Sequence, residues 1–205
     1  MQQKFYKHSI HYWVLSCVFL LLESCGGTQS VQYFTLDMPS LNSNNKPGKT
    51  ADYLSIKQFD SGIMYHEDRL IFQGSPREVK HWNYKKWISP PSILLTEAIK
   101  RHFTNANIFK GVLDYPAAIP TRYILEGKIN AFEEYDVNEN WTVRVGFELR
   151  MLDVADQRYI WEGAYENQIP VKEKTANAVV KSIDEAVFAI IQQVLVELNP
   201  LFNGK

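Results

Sequence analysis

Trp141, Val143, Val145, Phe147, Leu149 and Met151 alternate with Thr142, Arg144, Gly146, Glu148 and Arg150. Strict period two of this kind puts one face of a strand in a core and the other in water. Tyr123 to Phe132 before it and Tyr159 to Asn167 after it have strand composition, and Asp136–Asn140 and Asp153–Gln157 read as turns. The three segments therefore predict an antiparallel meander. The period then changes. Val179, Val180, Ile183, Ala186, Val187, Ile190, Ile191, Val194 and Leu198 follow i, i+3, i+4 spacing, which predicts an amphipathic helix from about Lys172 to Leu198, stopped by Pro200. A second helix opens at Ser89-Pro90-Pro91, with Ser89 as its cap and proline in the first turn, where a missing N–H costs nothing. Leu94, Leu95, Ala98, Ile99 and Phe103 carry its apolar face to about Thr104.

Shorter apolar runs at Tyr33–Leu36, Leu54–Phe59, Arg69–Gln73 and Glu78–Asn83 predict further strands. Gly74–Arg77 is a turn signal, and Pro39–Asp52 is the longest polar loop. The expected architecture is α+β: an antiparallel-rich β-sheet packed against two main helices, in a single domain over 33–200.

The first residues follow neither period. Lys4 and Lys7 precede the apolar run Tyr12–Leu22, which as a helix spans roughly 16 Å, about half a bilayer core. That reads as the h-region of a signal peptide covering 1–24 and not as a permanent span. The following Leu22-Glu23-Ser24-Cys25-Gly26 resembles the bacterial lipobox, in which Cys25 is lipidated and becomes the new N-terminus; Glu23 departs from the usual small or apolar residue. Ordinary secretory cleavage is the alternative. Several acyl chains anchor a protein stably where one holds it only marginally. Residues 25–32 form the lipidated cysteine and a short tether, whose seven residues after Cys25 reach at most ~24 Å. In the sorting rule that this signal resembles, Gly26 in place of Asp favours the outer membrane, with the domain on its periplasmic face.

Composition narrows the function. The chain has 205 residues, 22 Lys+Arg against 23 Asp+Glu and two cysteines, Cys17 and Cys25. Loss of the first 24 residues removes Lys4, Lys7, Glu23 and Cys17, so the mature chain has 181 residues and a net charge of −2. This balance argues against nucleic acid as a partner. With Cys25 acylated, neither a disulfide nor a thiolate nucleophile remains.

No motif calls for catalysis, a metal or a cofactor. His66-Glu67 lacks the second histidine of a zinc-protease helix, His81 and His102 stand alone, and there is no phosphate-binding glycine loop or nucleophile elbow. Glu133 and Glu134 lie beside a predicted turn and are expected to be solvated. The segment His81–Trp87 interleaves aromatics with lysines, so Trp82, Tyr84 and Trp87 are candidates either for the core or for a partner interface.

In order, Cys25, Tyr33-Phe34-Thr35-Leu36, Arg69-Leu70-Ile71-Phe72, the Trp82/Tyr84 segment leading to Trp87, Pro90-Pro91 and the helix Ile93–Phe103 resemble the ABC-type transport auxiliary lipoprotein family, which includes paraquat-inducible protein C. Lys85 and Lys86 stand where the family has His-Arg, and Phe72-Gln73 where it has Tyr-Arg. The resemblance implies a non-enzymatic lipoprotein held in the membrane through Cys25. It would serve an intermembrane lipid-transport system, with a periplasmic MCE (mammalian cell entry) domain protein and an ABC permease complex as partners. A structural lipoprotein of outer-membrane or secretion-machinery assembly is the alternative. The transported substrate and the oligomeric state, homo-oligomer included, stay open.

Overall fold

A computed structural model describes residues 29–39, 50–137 and 140–202. The signal segment, the lipobox with Cys25 and most of the Pro39–Asp52 loop lie outside them. Among the described residues there are nine strands: β1 Gln32–Phe34, β2 Tyr53–Ile56, β3 Asp60–Ser61, β4 Arg69–Ser75, β5 Glu78–Trp87, β6 Gly111–Asp114, β7 Tyr123–Val137, β8 Asn140–Asp153 and β9 Arg158–Pro170. The helices of these residues are α1 Pro91–Ala106 and α2 Ala176–Leu198, with 3-10 turns at Ile63–Tyr65 before β4 and at Asn199–Phe202 after α2.

The predicted meander is β7–β8–β9, antiparallel throughout, with Glu126 opposite Arg150 and Arg150 opposite Glu162. β7 is the hub of the sheet. One edge pairs with β8 along its length; the other is shared end to end by β2, β3 and β4, all parallel to it. β2 carries β6, and β4 carries β5 and then β1. The sheet is thus mixed: its antiparallel pairs are β4–β5, β7–β8 and β8–β9. Parallel pairing leaves no period of its own in a sequence, so the apolar runs predict the strands β1, β2 and β4 in an antiparallel-rich sheet but not that these strands pair in parallel.

Alternation on β8 sends Val143, Val145, Phe147, Leu149 and Met151 into the core beneath α2, whose Val179, Ile183, Ala186, Val187, Ile190, Ile191, Val194 and Leu198 are buried. Each large aliphatic side chain so buried contributes roughly 1.5–3 kcal/mol. At Gly127 of β7 the Phe59 ring lies flat on the strand. A Cβ there would come within 2.5 Å of the ring, so only glycine permits this approach.

The extended segment Thr35–Pro39 straps the helices to this core. Leu36 and Met38 are buried, the Asp37 N–H donates to Asp184 Oδ1 on α2 at 3.1 Å, and the Pro39 carbonyl faces His102 Nε2 on α1 at 3.2 Å. The other His102 nitrogen faces the Ala98 carbonyl at 2.8 Å, so this histidine is a buried tie between strap and helix.

Helix boundaries moved by a few residues. α1 is capped at Pro90 without a side-chain bond, so Ser89 is not its cap; it ends at Asn107 in the left-handed conformation (φ 52°). α2 starts at Ala176, because the Thr175 hydroxyl accepts the Ala178 N–H and fixes the first turn there. β6, short and half-exposed, had no signal in the sequence.

Candidate interaction surface

β5 carries an irregularity that organises everything around it. Arg69 pairs with Lys86 and Ile71 with His81, so β4 advances from 69 to 71 while β5 runs from 86 back to 81. The surplus residues form a wide bulge, a device that re-aims side chains at sheet edges. Within it Tyr84 has φ 59°, a left-handed conformation that costs a non-glycine residue about 1–3 kcal/mol, and the residue is 51% exposed. The bulge also brings Lys85 onto the side of Trp82, with its ammonium 4.1 Å from the ring centroid.

Beneath this bulge lies Glu134 of β7, 6% exposed. The Trp82 indole N–H donates to its Oε2 at 2.8 Å, and the Trp141 indole N–H donates to its Oε1. Phe72 stands edge-on to Trp82 at 6.2 Å, and the Lys174 ammonium lies 5.8 Å from the Trp141 ring. Two indoles from distant strands are thereby locked edge-first on one carboxylate, each with a lysine over its face.

Consecutive residues of a strand point to opposite faces, so Glu133 belongs to a different cluster. It is fully buried. Its Oε1 accepts Arg144 Nη2 at 2.7 Å and Arg144 Nε at 2.9 Å, and its Oε2 accepts the Phe132 N–H at 2.6 Å and the Tyr65 hydroxyl. Burial, then the Glu133 charge and hydrogen bond, push the Tyr65 phenol far above the ordinary tyrosine range. Removing one partner of such a buried pair costs about 3–5 kcal/mol, because the other charge is left unmatched. The expectation that Glu133 and Glu134 are solvated is therefore corrected: Arg144, Tyr65, Trp82 and Trp141 replace water around them.

On the same face as Glu133, farther along β7–β9, an open trough of about 590 Å³ is lined by Lys57, Asp60, Glu126, Lys128, Glu148 and Arg150 among others. Glu126 accepts Arg150 Nε at 2.7 Å and the Tyr159 hydroxyl at 3.0 Å, and Lys57 lies 3.6 Å away. Partial burial pushes its carboxyl up, but the hydrogen bonds from Tyr159 and Arg150 and the nearby cations outweigh this and hold it below the usual value. Asn130 likewise donates to Glu148 at 2.8 Å. The trough is a ladder of cross-strand charges that largely satisfy one another.

The three aromatic candidates of the segment separate. Tyr84 is exposed, Trp82 is half-buried, and Trp87 is 1% exposed with its ring 5.4 Å from Phe132. Trp87 is thus a core residue, and its place at an interface is corrected: the bulge ends before it, so its side chain returns to the packed face. Trp141, which joins Trp82 at Glu134, was expected only as core; no local pattern links residues 59 positions apart. Among the described residues no group of three His, Cys, Asp or Glu side chains could hold a metal, and no helix is long and apolar enough to cross a membrane.

No family model matches the chain, and no curated protein matches it. Solved structures do. Protein XCC0632 of Xanthomonas campestris, of the DUF330 family, is similar with a TM-score of 0.71 at 14% identity, covering 80% of this chain and 92% of that one. An uncharacterized protein is similar with a TM-score of 0.66 at 12% identity, covering 83% and 99%. At these identities the likeness is one of fold: the α+β arrangement of helices on a mixed sheet is shared by these proteins.

Proposed function

We propose that the chain is a non-catalytic lipoprotein, anchored through Cys25 to the periplasmic face of the outer membrane, that serves an ABC/MCE-type transport system by docking its periplasmic MCE-domain protein. The observation that carries this reading is the bulge of β5. It spends backbone strain to hold Tyr84 in solvent beside a fixed Trp82, which is how a binding surface presents an aromatic anchor. The acids that a hydrolase would use are instead closed into pairs, Glu133 with Arg144 and Glu134 with two indoles. The order of sequence motifs from Cys25 to the α1 helix supports the choice of partner.

Purification of the full chain from its own membranes in mild detergent tests the proposal. An MCE-domain protein and its permease should copurify, and Tyr84→Ala should weaken that association at least tenfold without loss of the folded domain. Copurification of a β-barrel assembly in place of an MCE protein would overturn the partner. Cys25→Ala should move the protein from the membrane to the soluble fraction, and retention in the membrane after signal cleavage would overturn the anchor.

A further inference from the structure

We infer that the free edge of β9 binds an extended segment of another polypeptide in which apolar residues alternate with basic ones. β9 stays in unbroken register with β8 from Trp161 to Ile169, and among the described residues no strand lies on its other edge. Every second residue of such an edge turns both its N–H and its C=O outward. Proteins ordinarily close their sheet edges with short strands, lysine, proline or a bulge. β1 and β6 are short. β9 has a bulge only at Ile160 and a proline only at its last residue, Pro170, and it contains no lysine. Trp161 to Ile169 is left as an open template, roughly 30 Å long, of the kind to which a guest strand adds.

The two faces of this edge select the guest. On one face Glu162 and Glu166 are exposed, and neither forms an ion pair among the described residues. Arg150, opposite Glu162, is held by Glu126 at 2.7 Å, and Arg144, whose guanidinium feels the charge of Glu166, is held by Glu133 at 2.7 Å. Lys128 stands opposite Glu148, and Lys57 and Asp60 beside them offset each other. Glu162 and Glu166 are thus the surplus charge of this face. At the ends of β9, Arg158 pairs with Asp156, and Lys172 and Lys174 flank Glu173 beyond Pro170, so these cations lie outside the template. On the helix face the partly exposed Trp161 ring stacks on Tyr165 at 6.3 Å. Tyr165 lies across Gly163 and donates to Glu197. Side chains alternate along a strand, so lysine or arginine at i and i+4 of the guest falls beside both acids, whichever way it runs. The residues between, turned to the helix face, meet Trp161 and are apolar. A second copy of β9 would instead bring two more carboxylates to the same edge, and like charges across a strand pair destabilise it. β4 and β5 lie on the far side of β7, so this site needs neither Cys25 nor the transport partner and stands or falls apart from the proposed function.

The probe is an acetylated heptapeptide amide in which valine alternates with lysine, threonine and lysine, added to the full chain in neutral maltoside micelles. Hydrogen exchange should slow at the outward-pointing amides of residues 161–169, making their protection uniform, and should not change in β7. Fluorescence anisotropy of the labelled peptide should show saturable binding. Glu162→Gln with Glu166→Gln should weaken it at least tenfold with exchange in β7 and β8 intact, while Glu185→Gln on the exposed side of α2 should leave it unchanged. N-methylation of one alternate set of peptide amides should abolish binding, and of the other set should not. The proposal is overturned by equal binding of the peptide with glutamate in place of lysine, by an unchanged double variant, or by no slowing along β9. Uniform protection of β9 without peptide would also overturn it, by making a second copy of the chain the occupant.

Discussion

Asp184 shows how a single carboxylate can work against the fold it serves. It accepts the Asp37 N–H that pins the strap to α2. Burial raises its pKa to about 6 from 3.8; the Asp37 hydrogen bond and Arg101 oppose this, and the charges of Asp37 and Glu185 add to it. An acid whose folded-state value is raised binds its proton more tightly in the folded chain. Its stabilising contribution is therefore complete below about pH 4 and is lost as pH rises through about 6. At neutral pH the ionised form is a cost, limited by partial solvent access to about 1–2 kcal/mol. Asp184→Asn keeps an oxygen for the Asp37 N–H and removes the charge. It should raise Tm by a few degrees at pH 7.5, and this gain should vanish near pH 4 in thermal melts. A gain independent of pH would show that desolvation of the carboxylate is not the cause.

Between elements, the closest fit is the Phe59 ring on β7 at Gly127. Gly127→Ala forces a methyl group into a ring that is 3% exposed, and overpacking of this kind costs about 1–3 kcal/mol. The loss should appear as a lower urea midpoint, and Phe59→Leu in the same chain should restore part of it; a neutral Gly127→Ala would show that the ring can step aside. Elements that carry their own periodicity were legible from the sequence. β8 and α2 each bury one face, and that face is written at a spacing of two or of 3.6. The last third of β7, beyond Phe132, was not legible, because Glu133-Glu134-Tyr135 adjoins the polar run Asp136–Asn140 that reads as a turn and its compensating partners are far away in the chain. The candidate site was half legible for the same reason. His81–Trp87 declares its aromatics, but which of them face water depends on a bulge and a left-handed tyrosine that composition does not encode.

At the scale of the whole molecule the sheet has a protected middle and, among the described residues, a long open margin at β9, while the edge strands β1 and β6 are short. β7 and β8 are paired on both edges, whereas β9 is paired only with β8 among the described residues. Hydrogen exchange should find the slowest amides in β7 and β8, with fast and slow amides alternating along β9 as its N–H groups point outward and inward by turns. Uniform protection of β9 would mean that a second copy of the chain covers this margin. The sharing of one β7 edge by β2, β3 and β4 has a further consequence, in time. All three precede β7, and Leu54 must wait for Tyr123, 69 residues later. At ordinary synthesis rates that is roughly 3–14 s during which the early strands have no hub to join. The order in which this chain is made is the reverse of the order in which its sheet can close.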